Sequence, residues 1–103
     1  MTPDEYASLD ATAIAAAIHA DEITPAEVHG AATAMQERTR ATIHAVVEWY
    51  DEPSPGNETG PLAGVPFLRK DHGSGEAGRL QEMGSRLTAG YRPATTSRYY
   101  VRL

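Results

Sequence analysis

The sequence predicts an α/β fold in which a helix pair over residues 10–41 is followed by strands over 43–50 and 62–71. Three observations predict this order. Apolar residues in the first segment recur with a period close to 3.6, which is typical of amphipathic helices. The second segment is a β-branched and aromatic run of strand length, and the third is a shorter apolar run that ends in charge.

Alanine and local start signals predict the two helices. Residues 10–20 contain six alanines together with Ile14 and Ile18, which stand four residues apart and therefore share one helix face. The motif Thr-Pro-Ala-Glu at residues 24–27 supplies a threonine N-cap, a proline at the first helical position and a capping-box glutamate. We expect the second helix to begin there and to end near residue 41.

The segments after the helices alternate between apolar runs and breaks. Prolines and glycines in residues 52–61 predict an exposed loop. Pro66 suits the first residue of a strand better than its centre, so we expect a short buried strand over about Phe67 to Lys70 within the segment 62–71. The glycine-rich segment 72–97 is predicted to be irregular, with one helical turn near residues 85–89 and an N-cap before Arg98.

Composition excludes several classes of protein. The absence of cysteine excludes disulfides, thiolate catalysis and cysteine-ligated zinc. Valine, isoleucine, leucine and phenylalanine together number only 16 of 103 residues, which predicts a thin core and marginal stability. No apolar window reaches the roughly 18 residues of a membrane span, and the N-terminus lacks the basic start of a signal peptide. We expect a cytoplasmic protein without a membrane partner.

Charge is divided unevenly along the chain. Residues 1–58 carry a net charge of -9, and residues 59–103 carry +4. The arginines of the basic half are dispersed, and the overall acidity opposes binding to phosphates. We therefore expect no nucleic-acid partner.

Lys70 is the candidate catalytic residue. It is the only lysine beside eight arginines, and it stands at the end of the apolar segment, before Asp71 and a glycine-rich loop. Arginine stays protonated in proteins, whereas lysine gives up a proton readily when it is buried. A site that needs a neutral amine would have to use Lys70. The alternative interpretation is a surface lysine that ends a strand.

Other constellations carry weaker signals. The glycines that follow His72 come after the lysine, an order found in neither phosphate loops nor dinucleotide fingerprints. His72 with Asp71 and Glu76 lacks a second histidine at ligand spacing. Ser85 is outside any Gly-x-Ser-x-Gly motif. We therefore expect no metal and no cofactor.

The segment Gly60-Pro-Leu-Ala-Gly-Val-Pro-Phe-Leu-Arg-Lys-Asp71 closely resembles the opening motif of the amidase signature family. In that family a Gly-Pro-Leu-x-Gly-Val-Pro stretch leads into a strand that ends in Lys-Asp. Residues 10–35 are similar to the family's N-terminal helix pair, residues 43–47 to its next strand, and residues 76–93 to a segment of a bacterial subgroup. The resemblance implies the first part of a mixed sheet flanked by helices, incomplete in this chain.

Amidase signature proteins act on amides through a serine, cis-serine, lysine triad without metal. The resemblance implies that Lys70 is the triad lysine, which draws a proton from the cis-serine. The implied substrate of the full-length protein is a small-molecule amide, hydrolysed at its carbon-nitrogen bond.

This chain also departs from the family pattern. His72 stands where leucine is common, and Thr96 stands where an aspartate is usual. Nothing in residues 71–103 resembles the glycine- and serine-rich segment that carries both serines. We expect a truncated, N-terminal amidase fragment that is inactive alone, or one that a second chain complements. The alternative is a small non-catalytic interaction module formed by the acidic helix pair.

Overall fold

The computed structural model describes residues 1–52, 54 and 56–103. The chain divides into two compact units, Met1–Phe67 and Leu68–Leu103, here called the first and second unit. Helices account for all of the regular secondary structure in the described residues. They are α1 (Pro3–Ser8), α2 (Ala11–His19) and α3 (Pro25–Arg40) in the first unit, and a 3-10 turn (Arg86–Thr88) and α4 (Arg98–Val101) in the second.

The prediction of an α/β fold with a mixed sheet is wrong, because the described residues form no strand. A strand needs a neighbouring strand that pairs its backbone N–H and C=O groups, and within the described residues neither segment 43–50 nor segment 62–71 is paired in this way. Several of their apolar side chains consequently lie in solvent rather than on a sheet face. The exposed fraction is 60% for Ile43, 73% for Val47, 59% for Phe67 and 70% for Leu68.

Two capping boxes begin α1 and α3. The Thr2 and Thr24 hydroxyls accept hydrogen bonds of 3.2 Å from the backbone N–H groups of Glu5 and Glu27. Each glutamate carboxylate in turn accepts from the backbone N–H of its threonine, at 2.6 Å in α1 and 2.9 Å in α3. The α3 box has the start signal recognised in the sequence, whereas α1 was not predicted, although Thr-Pro-Asp-Glu has the same pattern.

A tight turn ends α2. The Asp21 N–H donates to the Ile18 carbonyl at 3.1 Å, and the Glu22 N–H donates to the Ala17 carbonyl at 3.0 Å. This is the hydrogen-bond pattern of a Schellman motif, whose left-handed position usually holds glycine. Here Asp21 occupies that position, with a φ of 56°. The turn leads directly into the Thr24 capping box of α3.

The core of the first unit is small. Its buried apolar residues come from α2 (Ile14, Ala15) and α3 (Val28, Ala31, Ala32), and Val28 is the one fully buried side chain in the described part of the chain. Alanine methyls remove little apolar area from water. Helix α1 packs against α3, where Arg38 and Asp4 form a 2.8 Å ion pair. Both side chains of that pair are exposed, so the pair contributes little stability.

No helix in residues 1–52, 54 and 56–103 combines the length and the apolar character needed to cross a lipid bilayer.

The Glu27 capping box predicts a pH dependence of stability. Two hydrogen bonds from Thr24 lower the Glu27 pKa from its ordinary value of 4.5. The bond from the Thr24 backbone has the larger effect, and the bond from its side chain has the smaller one. A carboxylate with a lowered folded pKa stabilises the fold above its unfolded pKa, and this contribution is lost as the pH falls through the folded pKa. The free energy of unfolding should therefore fall as the pH drops below about 5.

Urea denaturation followed by circular dichroism at several pH values measures this slope. We expect Glu27→Gln to reduce it, because glutamine can still accept the backbone hydrogen bond but does not titrate. Glu22→Gln serves as the matched control, because no hydrogen bond or ion pair engages the Glu22 carboxylate within the described residues. An unchanged slope in Glu27→Gln contradicts the prediction.

Replacement of Asp21 by glycine should stabilise the first unit. A left-handed backbone is strained for any side chain with a Cβ, so Asp21→Gly should raise the free energy of unfolding by about 0.5–1 kcal/mol. Ala20→Gly changes the adjacent residue, whose φ is -85°, and should give no gain. Equal effects of the two substitutions in chemical denaturation would refute the assignment of strain to Asp21.

Candidate functional site

Lys70, the residue singled out in the sequence, lies near the start of the second unit. Its side chain is exposed. Within the described residues, its amine forms no ion pair and no hydrogen bond to a serine. Lys70 therefore presents a solvent-accessible amine, and the short buried strand expected around it is absent.

Arg69 and Asp71, the two neighbours of Lys70 in the sequence, form hydrogen bonds with Leu80 and Glu82. The Arg69 Nη2 donates to the Leu80 carbonyl at 2.7 Å, and the Asp71 Oδ1 accepts from the Glu82 N–H at 3.0 Å. The backbone around Lys70 is thus held from both sides while its side chain stays exposed. Sequence reasoning did not identify Arg69 and Asp71 as anchors, because their partners lie 11 residues away and follow no period.

Gln81 is the buried centre of the second unit. Its side chain is 3% exposed. The Nε2 donates to the carbonyls of Gly73 and Ser74, at 2.8 and 3.3 Å. Its backbone N–H donates to the Tyr91 carbonyl at 2.9 Å. Buried polar groups are stable only when paired in this way, so Gln81 fixes the loop that follows Lys70.

Gly75 makes the close approach of this loop possible. A Cβ at this position would lie 2.5 Å from the Gln81 Oε1 and 2.6 Å from the Pro93 Cγ. The Gly75 carbonyl also accepts a 2.9 Å hydrogen bond from the Ser97 N–H. Gly75 therefore joins the loop that follows Lys70, here called the Lys70 loop, to the start of α4. Nothing but its membership of a glycine-rich segment marks it in the sequence.

The amidase-like motif of residues 60–71 falls across the two units. Its first part forms consecutive turns, in which the Ala63 N–H donates to the Gly60 carbonyl at 3.0 Å. Gly64 has a φ of +79°, and a Cβ there would meet the Pro25 Cγ at 2.9 Å and the Ile18 Cδ1 at 3.2 Å. In the first unit this glycine is thus required both by its backbone conformation and by its packing against α2 and α3.

The other candidates from the sequence have local structural contacts. His72 is exposed, and Glu76 lies 3.8 Å from the Arg79 guanidinium. The Ser85 hydroxyl accepts from the Leu87 N–H at 3.2 Å and caps the 3-10 turn. The Thr96 hydroxyl accepts from the Ala77 N–H at 3.1 Å. In the part of the chain that the structure describes, no three histidine, aspartate or glutamate side chains could hold a metal together.

No match to this chain was found among family models, curated proteins or solved structures.

Tyr100 lies beside Arg69 and has a shifted pKa. Burial raises the pKa of its hydroxyl above 10.0, and the Arg69 guanidinium partly opposes this effect. The Arg69 Cζ lies 5.8 Å from the centre of the Tyr100 ring, within the range of a cation–π interaction. Tyr100 is therefore a neutral phenol at physiological pH, in contact with the segment that carries Lys70.

Substitution of Gly75 tests the packing of the Lys70 loop. Because Pro93 is buried and its ring cannot move aside cheaply, Gly75→Ala should lower the free energy of unfolding by about 1–3 kcal/mol. Gly30→Ala on α3 is the control, since its Cβ would meet nothing within 4 Å, and we expect it to be neutral or stabilising. Chemical denaturation measures both variants. A Gly75→Ala chain as stable as the wild type contradicts the close approach.

Proposed function

We propose that Lys70 serves as the proton acceptor of an amide-hydrolysing site. The resemblance of residues 60–71 to the amidase signature motif suggests this role. The observation that carries the proposal is the exposed Lys70 amine between two anchored neighbours, Arg69 and Asp71. An amine on a fixed stretch of backbone is what general base catalysis requires, because proton transfer depends on the position of the acceptor.

The proposed reaction moves one proton through two serines. The nucleophilic serine oxygen attacks the amide carbonyl carbon while its proton passes to the cis-serine, whose own proton passes to the Lys70 amine. The proton then returns to the leaving nitrogen, the carbon-nitrogen bond breaks, and water hydrolyses the acyl-serine. Because lysine accepts a proton only as the neutral amine, and burial favours that form, further residues must cover Lys70 in the working site.

None of the serines in the second unit suits the role of nucleophile. Ser85 caps the 3-10 turn, and the Ser97 hydroxyl is buried. Ser74 is exposed and contributes its backbone carbonyl to Gln81. The proposed site therefore takes both serines from residues other than 71–103, either elsewhere in a longer polypeptide or in a complementing chain. Its substrate is a small-molecule amide.

Complementation tests this proposal. The chain is combined with a second chain that carries the glycine- and serine-rich segment of an amidase signature protein, and release of ammonia from benzamide is measured. We expect activity only in the mixture, and a loss of at least 100-fold with Lys70→Ala, the lower end of the usual general-base contribution. Lys70→Arg should be equally inactive, because arginine does not release its proton.

Arg86→Ala is the matched control, since Arg86 is another exposed cation of the second unit, and it should retain full activity. Equal rates for wild type and Lys70→Ala contradict the proposal, as does the absence of activity in every wild-type mixture. Turnover by the chain alone, abolished by Lys70→Ala, would contradict the need for outside serines.

A second candidate function is a small non-catalytic protein-interaction module. It is favoured by the exposure of apolar side chains in the non-helical segments of the first unit, such as Ile43, Val47 and Phe67. Sequencing the coding DNA on both sides of these 103 codons separates the candidates. An adjacent glycine- and serine-rich segment supports the amidase, and unrelated sequence supports the interaction module.

A further inference from the structure

The second unit carries a surplus of cations. It holds seven basic and three acidic residues. All three acids are engaged within the unit. Asp71 accepts from the Glu82 N–H at 3.0 Å, and the Glu82 carboxylate accepts from the Gly90 N–H at 2.7 Å. Glu76 lies 3.8 Å from the Arg79 guanidinium. Four basic side chains form no ion pair and no hydrogen bond within the described residues, those of Lys70, Arg86, Arg98 and Arg102.

Two of these four cations lie at opposite ends of α4. Arg98 and Arg102, together with Tyr99 and Leu103, line an open groove of about 460 Å³, here called the α4 groove. Tyr99 is 55% exposed and Leu103 is 46% exposed. The Tyr99 ring lies edge-on to the Tyr100 ring, with centroids 5.2 Å apart. The groove thus combines guanidinium groups with exposed aromatic and apolar surface, and both arginine and tyrosine are enriched at protein–protein interfaces.

The first unit carries the opposite surplus. It holds eleven acidic and two basic residues. Both basic side chains form ion pairs within the unit, Arg38 with Asp4 at 2.8 Å and Arg40 with Glu37 at 3.7 Å. No basic residue of this unit is left for the other nine acids. Each unit therefore engages its minority charges internally and presents its majority charge to solvent.

We propose that the α4 groove binds the acidic first unit of a second copy of this chain. Charge complementarity identifies this partner, because carboxylates neutralise guanidinium groups and the first unit has a large surplus of them. The contact is also selective in orientation. The whole chain has a net charge of -5, so two copies repel each other unless the second unit of one faces the first unit of the other. The contact is independent of the proposed amide hydrolysis.

Sedimentation velocity of the full chain over a concentration series tests the proposal. We expect association at about 0.01 M NaCl and its loss at about 1 M, because the screening length falls from about 30 Å to about 3 Å. Two α4 grooves facing each other would show the opposite salt dependence, because they carry charge of the same sign. Association that persists at high salt would overturn the proposal, as would a monomer at every concentration in low salt.

Two charge reversals locate the contact. Arg102→Glu should raise the Kd of association about tenfold or more, because like charges that face each other across an interface repel. Arg86→Glu is the matched control, since it changes the net charge equally at a residue that does not line the α4 groove, and it should have little effect. Equal effects of the two reversals would overturn the proposal. The salt series uses only the wild-type chain and still tests the proposal if Arg102→Glu does not fold.

Nuclear magnetic resonance of the ¹⁵N-labelled chain tests which surface the α4 groove contacts. In a dilution series at low salt, concentration-dependent shifts should occur at the amides of residues 98–103 and also at amides of the first unit. Shifts confined to the second unit would overturn the assignment of the first unit as the partner.

Discussion

Outside the helices, the described residues pair their backbone N–H and C=O groups without a sheet. Each backbone N–H and C=O group removed from water needs a partner, and the described residues form no sheet that would pair them in rows. In the second unit, side chains take over this task. Gln81 donates to two loop carbonyls, and Asp71 accepts from the Glu82 N–H. The order of the Lys70 segment follows from these individual bonds.

The two units are stabilised by different means. The first unit combines capped helices with a small alanine-rich core in which Val28 is fully buried. The second unit has Gln81 and Pro93 at its buried centre and depends on polar contacts. Their charges also differ. Residues 59–67 carry no charged side chain, so the first unit has the net charge of -9 found for residues 1–58, and the second unit has a net charge of +4.

Local signals account for what the sequence could predict. Helices are present at both places where the N-caps and the 3.6-residue period indicated them, because capping and propensity act within a few residues. The helical turn expected near residues 85–89 and the helix expected at Arg98 are also confirmed. The prediction of two strands is wrong because strand formation depends on pairing and burial, which a local run of residues does not determine.

The candidate site was predictable to a similar extent. Lys70 could be singled out from composition and position, since it is the one lysine in the chain. Its anchors could not, because Arg69, Asp71 and Tyr100 act through contacts distant in sequence. Gln81 carried no signal either, since a single glutamine between Leu80 and Glu82 does not indicate burial.

The backbone order parameter of Lys70, obtained from ¹⁵N relaxation, decides whether side-chain contacts hold this segment in place without a strand. We expect a value near 0.85, typical of rigid backbone. A value below about 0.6 would indicate a flexible segment and would contradict the account of a positioned lysine.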